Sequence, residues 1–343
     1  MPPGLRRLYL TLGCVWLAVA AASLLIGTTG TSLAAYWHQA SGAADPVMEI
    51  LRQLSALALP RLLMGMLAGG SLAVAGAMFQ SLFRNPLASP YTLGVSSGAS
   101  LGAALAIMAA GGGLWHGVPM VSVMAFLGAV VCVGIVYGIA RVRPGQATGT
   151  LLLAGLTLGF ISSALIVLVM FLAEIRDSDQ ILRWMMGSLE VVGMSPVYES
   201  LALAALAGGV ATYLHRDLDL LMMGEVVAAS RGVAVRHSRR LIYFSASLLT
   251  AGVVAHVGPI GFVCLLVPHI CRALVGPTHG RLIPACALGG AAFLPLCDLL
   301  ARNAMWWLAG ETRQIPVGVL TSLIGGSFFL YLLLARRDRS VVR

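Results

Sequence analysis

There is no lysine anywhere in this chain of 343 residues. All 22 basic residues are arginine, against 13 acidic ones, and charged residues make up only 10% of the sequence. Each shortage excludes something. A phosphate-cradling loop of the G-x-x-x-x-G-K-[ST] type needs its lysine, so any use of ATP falls to another chain. Soluble domains carry about 25% charged residues, and a chain this long with so few cannot cover its surface in water. The formal charge of +9 therefore does not read as a nucleic-acid footprint. It reads as the arginine excess that sets orientation in a membrane. Cysteine is scarce as well. Cys14, Cys132, Cys264, Cys271, Cys286 and Cys297 lie in or beside apolar runs, with no C-x-x-C pair. That argues against a zinc site or a thioredoxin-type pair and for buried free thiols.

What the chain has in abundance is apolar sequence. Hydrophobic residues are 59% of the total and mean hydropathy is +0.91. The apolar runs are about 20 residues long, the length at which a helix spans a bilayer. Strands would instead alternate over about 10 residues. In lipid every backbone polar group must be satisfied internally. The chain is thus predicted to be an all-α integral membrane protein, a single domain over 1–343. Its helices fall at 8–27, 58–80, 93–111, 118–140, 150–172, 193–214, 240–256, 260–276, 283–301 and 316–335, about ten in all. The segment 257–276 either spans or re-enters in part. Arg6-Arg7 before the run Leu8–Gly27 has the look of a signal peptide. The run is longer than a usual signal core and is read as a retained first helix.

With the N-terminus in the cytoplasm, ten helices put most arginines on the inner side. These are Arg6, Arg7, Arg84, Arg141, Arg143, Arg216, Arg231, Arg236, Arg239, Arg240, Arg272, Arg281, Arg336, Arg337, Arg339 and Arg343. Arg52, Arg61, Arg176, Arg183, Arg302 and Arg313 fall outside or within the membrane. Both basic ends are then cytoplasmic, as the positive-inside rule requires.

Glycine is plentiful, at 40 residues, and small residues recur through Met64–Ala77 and Gly94–Ala104. They let helix backbones approach closely in lipid, and smooth helices can also slide or rock. Gly94-Val95-Ser96-Ser97-Gly98 matches G-x-S-x-G, but that elbow needs a strand–turn–helix context. A membrane hydrolase built on Ser96 with His256 or His269 is the least favoured reading; both histidines read as structural. Asp298 and Arg302 share a helix face at i,i+4 and can neutralise each other. Intramembrane acids are otherwise few, which disfavours an ion-coupled secondary transporter or channel. Proline breaks mark Asn85-Pro86, Gly258-Pro259, Val267-Pro268 and Ile315-Pro316. The inner segment Asp217–Arg240 is one or two short amphipathic helices, too short to span. It either lies on the lipid surface or docks a cytoplasmic partner.

Several strings then occur together and in order. They are Pro60-Arg61-Leu62; Phe83 to Ala88 with Leu93 to Ala99; Leu151 to Gly155; Trp184 with Gly187-Ser188-Leu189; Gly258 to Val263 with Val267-Pro268-His269; Leu282-Ile283-Pro284; Asp298 to Arg302; and Ile315 to Val319 with Gly325-Gly326. Over nearly its whole length the chain resembles the permeases of type II ABC importers, the iron-chelate (siderophore, haem) and cobalamin uptake family. The resemblance implies a ten-helix bundle in the bacterial inner membrane. It implies a homodimer, or a pair with a paralogous permease, joined to two ATPase subunits. These subunits bind ATP and magnesium; this chain carries no cofactor of its own. A periplasmic or lipoprotein binding protein would deliver the cargo, and no nucleic acid is involved. By the same resemblance Gly224, Glu225, Ala229, Arg231 and Gly232 would face the ATPase. Asn85, with Thr148 and Gly149, would form the cytoplasmic gate, although Gly149 stands where the cobalamin branch has serine. Arg61 and Arg302 would dock the binding protein. A third docking arginine is replaced here by Ala58, with Arg52 or Arg313 as substitutes.

Overall fold

The structure is a computed structural model that describes residues 3–26, 48, 54–110, 113–115, 118–142 and 147–340. All ten expected helices are present. They are α1 (Pro3–Ile26), α2 (Leu59–Leu82), α3 (Val95–Ala110), α4 (Met120–Val142), α5 (Ala147–Leu172), α7 (Ser195–Tyr213), α10 (Val235–Val257), α11 (Val263–Val275), α12 (His279–Ala309) and α13 (Val317–Ser340). Among the described residues three further helices lie between them: α6 (Ile175–Met185), α8 (His215–Met223) and α9 (Glu225–Ser230). A π-helical turn, Leu54–Ala58, leads into α2 and a two-stranded hairpin, Leu114–Trp115 with Val118–Pro119, precedes α4. The sequence pattern provides for α8 and α9 but leaves α6 as linker. Its eleven residues alternate acid, base and apolar side chains on a helical period, and only Ile181 is buried.

Among the described residues five helices are long and apolar enough to cross a membrane, or six if α7 and α8, bent by 56° at Leu214, count as one span. Four shorter apolar helices, from α1, α3, α11 and α13, complete the ten. At 1.5 Å per residue the thirteen residues of α11 cover about 20 Å, less than the hydrocarbon thickness. Of the two alternatives for 257–276, spanning or re-entering in part, the short α11 favours the second. Pro268 lies inside α11 rather than at a break, while α12 runs unbroken through Pro284 and Pro295.

α2 is the axis of the bundle. Nearly all its residues are buried, and α12, α10, α11 and α7 pack around it. Small residues make this possible. A methyl group on Gly69 would collide with the Gly290 carbonyl of α12, and one on Gly290 with the Gly69 carbonyl. Gly76 meets the Cys264 carbonyl of α11 in the same way. Gly98 and Gly102 of α3 press on Gly128 and Met124 of α4. The G-x-S-x-G string is therefore a packing surface, with Gly94 and Gly98 both against Cys132 of α4. Five of the six cysteines are buried free thiols, but Cys14 is exposed on α1. No group of three His, Cys, Asp or Glu able to hold a metal occurs among the described residues.

Gly69→Leu should destabilise the fold by about 3 kcal/mol, the cost of overpacking a tight contact. Gly138→Ala, where the space is open, should be neutral. A thiol-reactive dye that reports unmasking of the five buried cysteines during heating measures both. Equal melting temperatures would contradict the packing described here.

Candidate functional site

Two polar regions stand at opposite ends of α2. The first begins where α2 stops. Pro86 cannot continue a helix and biases Asn85 away from helical backbone. Arg84 takes a left-handed conformation at φ 49°. Asn85 then closes a turn on itself: its N–H donates to Gln80 O at 3.0 Å, and its Oδ1 accepts from the Leu87 N–H at 2.9 Å. The loop is pinned further along by Tyr91. Its hydroxyl donates to Ile260 O at 2.5 Å and accepts from Ile260 N–H at 2.9 Å. Burial pushes the Tyr91 phenol well above its usual range, so it stays a neutral donor.

α8 and α9 sit beside this loop. Leu218 and Leu221 of α8 are buried against the bundle. Asp217 accepts from Ser238 Oγ at 2.5 Å, and Asp219 accepts from His279 N–H at 2.8 Å. Gly224 joins the two short helices at φ 117°, a conformation that favours glycine. A Cβ there would come 3.7 Å from Arg84 Nη1. Glu225 forms an ion pair with Arg239 of α10. The rest points outward. Val226 is 84% and Met223 70% exposed, and Ala229, Arg231 and Gly232 are exposed as well. Met223 and Val226 thus make an exposed apolar tip with Arg231 near it.

Thr148 and Gly149 lie in the first turn of α5. Gly149 is exposed with open space around its Cα, so within one chain it does not close on Asn85. The two segments are linked indirectly. Gly155, farther along α5, packs against Thr92 and Leu93 in the loop that follows Asn85.

The second region surrounds Asp298. Its i,i+4 pairing with Arg302 is present, Nε to Oδ2 at 3.1 Å. Arg61 joins it from α2 with a fork of two bonds, Nε to Oδ2 at 3.0 Å and Nη2 to Oδ1 at 2.8 Å. Nothing in the local spacing points to this pair, which spans 237 residues. Arg302 Nη2 also donates to Ser23 Oγ of α1 at 2.9 Å. The Arg302 side chain is only 6% exposed, held between Asp298 and Ser23. Arg61 keeps an accessible edge beside Gln314. Arg183 and Glu190 line the same small cavity of about 110 Å³. Arg313 is exposed nearby, and Arg52 lies outside the described residues. His256 contacts Glu199 of α7 at 3.4 Å, and His269 packs on Phe328 and Phe329. Neither is arranged as a base for Ser96.

The bundle thus carries an exposed apolar tip beside the Asn85 loop at one end and a buried polar cluster at the other. Comparison with known proteins gives the family. The model of the FecCD transport family matches residues 15–335. This chain belongs to the FecCD transport family. It is 39% identical over 292 residues to the cobalamin import system permease protein BtuC of Halobacterium salinarum, covering 82% of this chain and 73% of that one. It is 32% identical to the hemin transport system permease protein HmuU of Yersinia pestis, covering 98% and 97%. It is 38% identical to the Fe(3+)-citrate import system permease protein YfmD of Bacillus subtilis, covering 84% and 82%. A solved structure of a metal-chelate type ABC transporter in an inward-facing conformation superposes with a TM-score of 0.82 at 28% identity, over 96% of this chain and 99% of that one. As a FecCD permease the chain is a multi-pass transport subunit.

The Asp298 cluster carries a stability prediction. Removing one partner of a buried ion pair costs about 3–5 kcal/mol because a buried charge is left uncompensated. Asp298→Ala leaves two guanidinium groups facing each other and should cost that much. Arg61→Ala leaves Asp298 paired with Arg302 and should cost less. Chemical denaturation in detergent distinguishes them, and the reverse order would overturn the assignment.

Proposed function

We propose that this permease carries a metal chelate into the cytoplasm as the membrane-spanning half of an ATP-binding-cassette importer. The observation that carries the reading is the exposed α8–α9 tip, which lies beside Arg84 at the start of the Asn85 loop. ATP with magnesium is bound and hydrolysed on a separate ATPase, which seats on Gly224, Glu225, Ala229, Arg231 and Gly232. Movement of that seat is felt at Asn85, because Arg84 lies against Gly224. Two copies of the chain enclose the pathway, so that Thr148 and Gly149 of α5 meet the second copy rather than their own Asn85. Both termini are cytoplasmic. A binding protein delivers cargo to the opposite face, where Arg61 offers its accessible edge and charge complementarity fixes register.

The cargo class rests on relatives named for cobalamin, hemin and ferric citrate. A weakly binding apolar path suits all three, since a transported molecule must leave as easily as it enters. In proteoliposomes holding the permease, its ATPase and its binding protein, uptake of one of these chelates should require both ATP and the binding protein. Uptake driven by a proton gradient alone would rule the mechanism out. Val226→Arg, at a residue 84% exposed, should abolish capture of the ATPase while the melting temperature of the permease stays within about 2 °C, as expected for a surface change. Undiminished capture would remove α8–α9 as the seat.

A further inference from the structure

The chain contains a line of three polar side chains, two of them fully buried and the third partly so, that the importer reading does not use. Ser81, in the last turn of α2, places Oγ 2.5 Å from Nε2 of His279. Nδ1 of the same ring is 2.6 Å from Oδ1 of Asp219. Ser81 and His279 are both fully buried. Serine, histidine and carboxylate in this order resemble a nucleophile with its base. Here, however, the serine is inaccessible and its hydroxyl also lies 2.8 Å from the Ala77 carbonyl of its own helix. No substrate can reach it.

The three residues come from three different elements, which is their significance. Asp219 belongs to α8, the docking helix. His279 is the first residue of α12, and Asp219 also accepts its backbone N–H. That N–H is one of the donors left open at a helix start, and Thr278 makes no capping bond. The docking helix therefore supplies the cap of α12, with a carboxylate where the helix dipole favours one. Ser81 stands four residues before Asn85, and the adjacent Gln80 carbonyl holds the Asn85 N–H. The line holds in either proton state of the ring. A neutral imidazole accepts the Ser81 proton on Nε2. A charged one donates from both nitrogens, while Ser81 turns its proton to Ala77 O.

We propose that Asp219, His279 and Ser81 form a rigid link that passes displacement of the docking helix α8 to the end of α2 and so to the Asn85 loop. His279 and Ser81 are positioning residues in this link: they act through the helices they join. The link rests on the importer reading, and its geometry suits it to the task. The contact to the Asp219 carboxylate is short, at 2.6 Å, as bonds to a charged acceptor are, and the Ser81–His279 bond lies between two fully buried side chains.

The test uses the whole permease bound to its ATPase in nanodiscs, with hydrogen–deuterium exchange read across residues 83–94. The probe is a non-hydrolysable ATP analogue. In the natural chain the analogue should change exchange in this segment, and ATPase docking should protect α8–α9. Ser81→Val and Ser81→Thr have the same shape and differ in the hydroxyl. The valine variant should lose the nucleotide response of 83–94 by about tenfold, the equilibrium worth of one such hydrogen bond, while protection of α8–α9 persists. The threonine variant should keep the response. Asp219→Asn should weaken it from the other end, and adding it to Ser81→Val should cause no further loss, because both break one link. A response kept in both Ser81 variants, or lost in both, overturns the link but leaves the importer reading standing. Absence of α8–α9 protection in the natural chain overturns the importer reading and the link with it.

Discussion

The close approach of α2 and α12 at Gly69 and Gly290 sets the rest of the structure. With no side chain on either residue, the two backbones lie against each other and run antiparallel. That single register puts Arg61 opposite Asp298 at one end and Ser81 opposite His279 at the other. Gly65 with Pro295, and Gly70 with Ala287, fall on the same line. In lipid there is no hydrophobic drive to bring two helices together. Packing of small surfaces and polar pairing must do it, and here each fixes the other. A slip by one turn would break the glycine contact, the Arg61 fork and the Ser81 bond together.

The same pairing solves the problem of charge in the membrane. Two arginines share one aspartate at one end, and a carboxylate caps a helix at the other. α12 joins these sites. At 31 residues it is about 46 Å long, enough to pass beyond the hydrocarbon on both sides. Its start is tied to α8 and its far half to the Arg61 cluster, so the two ends of the bundle meet in one element beside the buried axis α2. The apolar tip of α8–α9 is joined to this framework through Leu218, Leu221 and Ala228, through Asp217, Asp219 and Glu225, and where Gly224 lies beside Arg84.

The ten apolar helices could be read from the chain because each depends only on its own composition and length against the thickness of a bilayer. The small residues of Met64–Ala77 could be recognised as packing surface for a similar reason: nothing but close approach favours so many. Asp298 and Arg302 were visible as a pair through helical spacing. Arg61 was not visible as their partner, because no local period relates residues on different helices. The same holds for His279, which looks like any histidine at a helix start until Ser81 and Asp219 are placed on either side. α6 was missed because its charged residues resemble a linker. The burial of Arg302 was hidden behind its resemblance to docking arginines.

The sequence by itself determined that the chain lives in lipid, where its ten apolar helices fall, and that the segment Asp217–Arg240 forms short helices rather than a span. These are local properties, settled residue by residue between water and hydrocarbon. Only the tertiary structure decided which polar groups meet: Arg61 with Asp298, Ser81 with His279, and α8 as the cap of α12. The reason is that helices in a membrane choose partners by surface fit and register. Those depend on two segments at once, and neither segment alone contains them.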